Sequence, residues 1–118
     1  MSSTPENVVF IVHFNGKVSR NLSGSFFHSE RRKCFIMSIK STLAHLKKRI
    51  EEKLKLRDTQ MISQILYRVP QSFAGSHVQY NDVEISDNGD VADMFVIHKS
   101  FEVIGAIELS VTIENCYD

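Results

Sequence analysis

The chain has 118 residues, the size of one folded domain, and its 42% hydrophobic and 24% charged side chains exclude a disordered chain and a second core. Its 14 Lys and Arg are balanced by 14 Asp and Glu, so no global field holds a polyanion such as DNA over the whole surface. Cys34 and Cys116 are too few for a disulfide framework, and the apolar run Val8 to Val12 is too short for a signal segment or a membrane span, so an intracellular, soluble chain with reduced thiols is expected.

Residues 1–7 are polar and read as a disordered amino-terminal tail. Val8 to Phe14 is almost wholly β-branched or aromatic, with Val8, Phe10, Val12 and Phe14 on one face and Val9, Ile11 and His13 on the other, the strongest strand signal in the chain. Asn15-Gly16 readily takes positive φ in a tight turn, so Lys17 to about Leu22 is expected to run back antiparallel to that strand. Ser23 to Lys33, with Phe26-Phe27 and Arg31-Arg32-Lys33, has no clean period and reads as a loop. Cys34 to Met37 is a short apolar run leading to Ser41, an N-cap candidate. Leu43, Leu46, Ile50 and Leu54 then recur at helical spacing, with Lys47, Lys48, Glu51, Glu52 and Lys55 on the other side, so Thr42 to Leu56 is an amphipathic helix.

Ile62 to Val69 is strand-like and expected to stop at Pro70, which lacks the donor a ladder needs. A short extended piece at Val78 to Tyr80 precedes the turn signal Ser86 to Asp90, where Asp90 is placed to cap a short helix burying Val91, Met94 and Phe95. Ile107 to Ile113 alternates without a fault as a final strand, and residues 115–118 read as a tail. This order predicts an α+β fold of the ubiquitin-like β-grasp type over residues 8–114: a mixed sheet of four to five strands, one long helix on one face, a short second helix, and the first strand beside the last.

The run Ile65-Leu66-Tyr67-Arg68-Val69-Pro70, then an acidic turn, Asp90-Val91-Ala92-Asp93-Met94-Phe95 and a closing alternating strand resemble the amino-terminal domain of plant Mutator-like (MuDR-type) transposases and their domesticated relatives, itself similar to Phox/Bem interaction domains. The likeness spans nearly the whole chain, from Phe14-Asn15-Gly16-Lys17 to the last strand. It implies a nuclear setting and a protein-protein interaction module of a transposase-derived protein, serving self-association or partner recruitment. It also implies an acidic surface at Asp82, Glu84, Asp87, Asp90 and Asp93 facing a basic one at Lys17, Arg20, Arg31, Arg32 and Lys33 on another copy. The acidic catalytic core and zinc knuckle of such transposases do not fit within this length.

Read from the residues themselves, no catalytic, cofactor or metal site is expected. The five carboxylates from Asp82 to Asp93 lack the alternate spacing of a calcium loop. Cys34 with any of His13, His28, His45, His77 or His98 has no local support as a nucleophile or zinc site, and Cys34 itself reads as a small buried hydrophobe. Lys47-Lys48-Arg49 reads as the solvated side of the helix, and His98 as a helix-end cation or packed side chain. The alternative function is a DNA-binding accessory domain using Lys17, Arg20 and Arg31 to Lys33, with Phe26-Phe27 beside them for stacking.

Overall fold

A computed structural model describes residues 7–14, 16–21, 24–29, 31–74, 77–101 and 104–116, and among these it holds seven strands and two helices. In chain order they are β1 (Asn7–Phe14), β2 (Lys17–Asn21), β3 (Gly24–His28), β4 (Arg31–Ser38), α1 (Leu43–Leu54), β5 (Gln60–Ala74), β6 (His77–Glu84), α2 (Asn88–Ser100) and β7 (Ala106–Asn115). The strands form one mixed sheet in the order β2-β3-β6-β5-β7-β1-β4. β1 lies parallel to β7, with Phe10 level with Ile107, and antiparallel to β4, with Phe10 level with Phe35.

The first and last strands are thus neighbours, but the β-grasp expectation is overturned. The sheet has seven strands instead of four or five, and α1 and α2 are near equals of 12 and 13 residues. Lys17–Asn21 does not pair with β1, because both edges of β1 are already taken by β4 and β7; it pairs with β3 instead, Lys17 level with His28. The expected loop from Ser23 to Lys33 contains β3 and the start of β4. β3 has Ser25 buried and Phe26 and Phe27 both half-buried, so neither face is wet and no alternation marks it.

Pro70 does not end its strand. The ladder between β5 and β6 passes through Pro70 and shifts register between Pro70 and Ser72, an irregularity that accommodates a residue without an N–H. The short segment at Val78 to Tyr80 is likewise part of an eight-residue strand. The helix caps also move: Thr42, not Ser41, caps α1 by accepting from the His45 N–H, and Asp87, not Asp90, caps α2 by accepting from the Asp90 N–H. Starting three residues earlier and running past His98 to Ser100 is what makes α2 long. The expected tails shrink as well, since Asn7 belongs to β1, Asn115 pairs with Gln60, and the Cys116 N–H donates to the Thr59 carbonyl at 2.5 Å. The rest of those tails, Asn15 of the expected turn, Leu22, Ser23 and Gly75 lie outside the described residues.

Both helices cover the same face of the sheet. Phe10, Phe35, Ile65, Tyr67, Leu109 and Val111 meet Leu46 and Ile50 of α1 and Val91, Met94 and Phe95 of α2 in one buried cluster, so the expected stripe of α1 does lie on the sheet. α1 ends at Lys55, whose left-handed φ of 54° closes the helix with its N–H donating to the Glu51 and Glu52 carbonyls. Among the described residues, no helix is long and apolar enough to cross a membrane.

Candidate functional site

The sheet face opposite the helices carries the alternate residues of each strand: Val9, Ile11 and His13 of β1, Glu108 of β7 and Arg68 of β5. β3 crosses this face. One end of it, Gly24, pairs with Tyr80 of β6, while Phe27 packs edge-on against His13 of β1 with ring centroids 5.8 Å apart. β6 and β1 are separated by β5 and β7, a span of roughly 14 Å at about 4.8 Å per strand, which the residues Gly24 to Ser29 can bridge at about 3.3 Å each. Gly24 is required at the start of that crossing, with φ of 115° and Tyr80 backbone so close that an added β-carbon would overlap it.

Beneath the crossing strand runs a chain of polar contacts. Arg68 Nη1 donates to Glu108 Oε2 at 2.9 Å and its Nε donates to the Ser25 carbonyl at 2.7 Å, while its guanidinium lies 3.7 Å from the Tyr80 ring centre and 4.9 Å from that of Phe26. Glu108 Oε1 lies 3.2 Å from His13 Nε2, and His13 Nδ1 lies 3.0 Å from Ser29 Oγ. At the other end, Ser25 Oγ donates to Asp82 at 2.6 Å, and Arg20 binds the same carboxylate through two N–H groups at 2.7 and 2.5 Å. The hydrogen bond from His13 holds the Glu108 carboxyl below the usual range, against burial and with help from Arg68. Arg20 is likewise the largest cause of the lowered pKa of Asp82, and this two-bond fork, with the Arg68 contact to Ser25, fastens the β2–β3 hairpin to the sheet.

Serine, histidine and glutamate in a line resemble a nucleophile, base and acid, but the bonding opposes that use. Ser29 Oγ donates its proton to the Arg31 carbonyl at 2.7 Å, so it is not offered to His13. Glu108 shares its charge with Arg68, which weakens the support it gives a neighbouring imidazolium. The arrangement holds a hairpin down. Cys34, expected buried, is exposed, because it sits on the open face of the edge strand β4, level with Ile11. Among the described residues, no three of His, Cys, Asp and Glu gather as a metal site. His98 lies in the last turn of α2, and burial lowers its pKa.

Tyr67 stands apart: it is 2% exposed, and its hydroxyl finds no partner among the polar atoms of the described residues. Burial accordingly pushes the phenol well above the usual tyrosine range. Since an unpaired buried hydroxyl costs free energy, Tyr67→Phe is expected to leave stability unchanged or to raise it by up to about 1 kcal/mol in a urea titration. A loss larger than that would show that the hydroxyl is hydrogen-bonded in solution.

The two expected charged surfaces are only partly assembled. Asp82 and Arg20, one from each, are spent on one another, and the Asp82 side chain is 7% exposed. Asp90 is tied to the backbone N–H and hydroxyl of Ser86, at 2.8 and 3.0 Å. Glu84, Asp87 and Asp93 remain exposed at the β6–α2 junction. On the opposite flank, β4 alternation sends Arg31 and Lys33 to the helix side with Phe35 and turns Arg32 to the other side, level with His13. There Arg32 joins Lys17, His28, His13, Phe27 and Ser29 around a groove of about 740 Å³.

Around the edge of β4, Arg31, Arg32 and Lys33 face Lys53 and Lys55 from the end of α1 across a second groove of about 530 Å³, floored by Phe14 and Leu54. Lys53 and Lys55 were not among the expected site residues. Their one signal was position, since cations in a last helical turn sit wherever that helix ends. Lys47 and Lys48 are solvated as expected, whereas Arg49 leans over the Phe35 ring at 5.7 Å. No family model matches the chain, and neither the curated proteins nor the solved structures yield a match.

Proposed function

We propose that this chain is a protein-interaction module without catalytic chemistry, in which charge of opposite sign on two flanks drives association with a second copy or with a partner built alike. The observation that carries this reading is the separation of those charges. Arg31, Arg32, Lys33, Lys53 and Lys55 line one groove at the β4 edge, while Glu84, Asp87 and Asp93 lie exposed at the β6–α2 junction. Three strands stand between β4 and β6, so the two surfaces are too far apart to neutralise each other and are free to meet those of another molecule. The transposase origin and nuclear setting enter this reading only through the motif resemblance.

Sedimentation equilibrium at low and high salt tests it. Between about 0.01 and about 1 M salt the screening length falls from about 30 to about 3 Å, so a charge-driven oligomer is expected to fall apart over that range. Arg31→Glu with Arg32→Glu is expected to give a monomer even at low salt, and adding Glu84→Lys with Asp93→Lys to a second, differently tagged copy is expected to restore pairing. A monomer at every salt concentration would sink charge-driven self-association.

A further inference from the structure

We infer that the free edge of β4, with the basic groove beside it, is a docking site for an extended acidic segment of a protein partner, which adds to the sheet as an eighth strand. The inference rests on the reading of the chain as a protein-interaction module. β4 is last in the sheet order and, among the described residues, pairs only with β1; the Arg31 and Ser38 carbonyls at its ends accept from Ser29 Oγ and the Ser41 N–H, and between them the outward row of backbone N–H and C=O groups has no strand partner. Such an edge is a template for β-strand addition, in which the main chain supplies affinity and alternate side chains supply selectivity.

The side chains along this edge specify the chemistry of the incoming strand. At its beginning, Arg31 and Lys33 point to the helix side, where Lys53 and Lys55 close the far wall of the groove over Phe14 and Leu54. Every described charged residue lining that groove is basic, so an added strand meets Arg31, Lys33, Lys53 and Lys55 on its helix-facing side and needs carboxylates there. Further along, the open face changes character: Ile36 is 58% exposed beside Val9, itself 39% exposed and level with it in register. An incoming residue on that face covers apolar surface. A nucleic-acid strand would satisfy the cations but leave both the outward amide row and the Val9–Ile36 surface unused. A polypeptide that alternates acidic and apolar residues uses all three.

The test uses a fluorescein-labelled ten-residue peptide of alternating Glu and Val, a scrambled peptide of the same composition with the Glu residues in one block, and a single-stranded thymidine oligonucleotide. Anisotropy measures binding to the intact chain at low salt, and amide hydrogen exchange reports where binding occurs. The alternating peptide is expected to bind at least ten-fold tighter than the scrambled one and to slow exchange in β4 but not in β2. Lys53→Glu with Lys55→Glu is expected to weaken it at least ten-fold.

Equal binding of the two peptides, binding without protection of β4, or displacement by an equimolar oligonucleotide would overturn the inference in favour of a plain polyanion surface, and so would no binding. The parent reading fails separately. A chain that self-associates by charge yet ignores the alternating peptide loses this inference alone, whereas a chain that is monomeric at every salt and binds the peptide keeps it.

Discussion

Glu108→Ala is expected to destabilise the fold by about 2–4 kcal/mol, measured as the shift in a urea unfolding midpoint at neutral pH. The carboxylate is bonded to both Arg68 and His13, whose side chains are 15% and 7% exposed, and alanine leaves Arg68 without a counter-charge and His13 Nε2 without its hydrogen-bond partner under β3. The figure is below that for a fully buried pair because the Glu108 side chain keeps 27% of its exposure. Exchange of the β3 amides is expected to accelerate in the same variant, since Arg68 also holds the Ser25 carbonyl.

Acid should act in the same direction, and the sign follows from the lowered pKa of Glu108. The unfolded chain takes up this proton first as pH falls, so the contribution is complete above the ordinary carboxylate value of 4.5 and is lost as pH drops through the lower folded value. Asp82 and Asp90 are shifted the same way and titrate in the same window. The informative quantity is therefore the difference between the wild-type and Glu108→Gln stability curves, which should narrow below about pH 4. Parallel curves down to pH 2, or an alanine variant within about 0.5 kcal/mol of wild type, would show that the buried network does not hold the hairpin.

Phe10→Ala should cost more, about 3–5 kcal/mol. Phe10 is fully buried, stacks on Phe35 of β4 with centroids 5.3 Å apart, and meets Phe95 of α2 edge-on at 6.0 Å. Removing the ring opens a cavity at the point where a central strand, the proposed docking strand and a helix converge. Phe10→Leu, which keeps most of the volume, is expected to cost under about 2 kcal/mol. If the alanine variant unfolds like wild type, β4 is not anchored through this contact, and the rigidity that strand addition needs would have to come from elsewhere.

Much of the secondary structure was legible because one-sided burial writes itself as a period. α1 and β7 each keep their buried apolar residues on one face, β1 is β-branched or aromatic almost throughout, and Phe10, Leu46, Ile50 and Leu109 are buried where these patterns place them. β3 was illegible for the opposite reason, since both of its faces are partly covered. The proline rule failed at Pro70 because a register shift in the ladder tolerates a missing donor, something neighbouring residues do not announce. The basic run was visible as a run, but its partition into two grooves depends on the pleat of β4, and its enlargement by Lys53 and Lys55 depends on where α1 ends.

By itself, then, the sequence determined that β1, α1, the first half of β5 and β7 are regular, which faces of α1 and β7 are apolar, and that the net charge is zero. Tertiary structure alone decided which strands are neighbours: Asn15-Gly16 reads as a local hairpin, yet β1 spends both edges on partners 17 to 97 residues away and sends β2 elsewhere. It also decided that Arg20 neutralises Asp82 across 62 positions, that Glu108 serves His13 and Arg68 together, and that β4, among the described residues, has a strand partner on one edge alone. The physical reason is that periodicity records the environment of each residue's own side chain, whereas pairing is a competition among all strands for a limited number of edges, and its outcome is a property of the whole sheet.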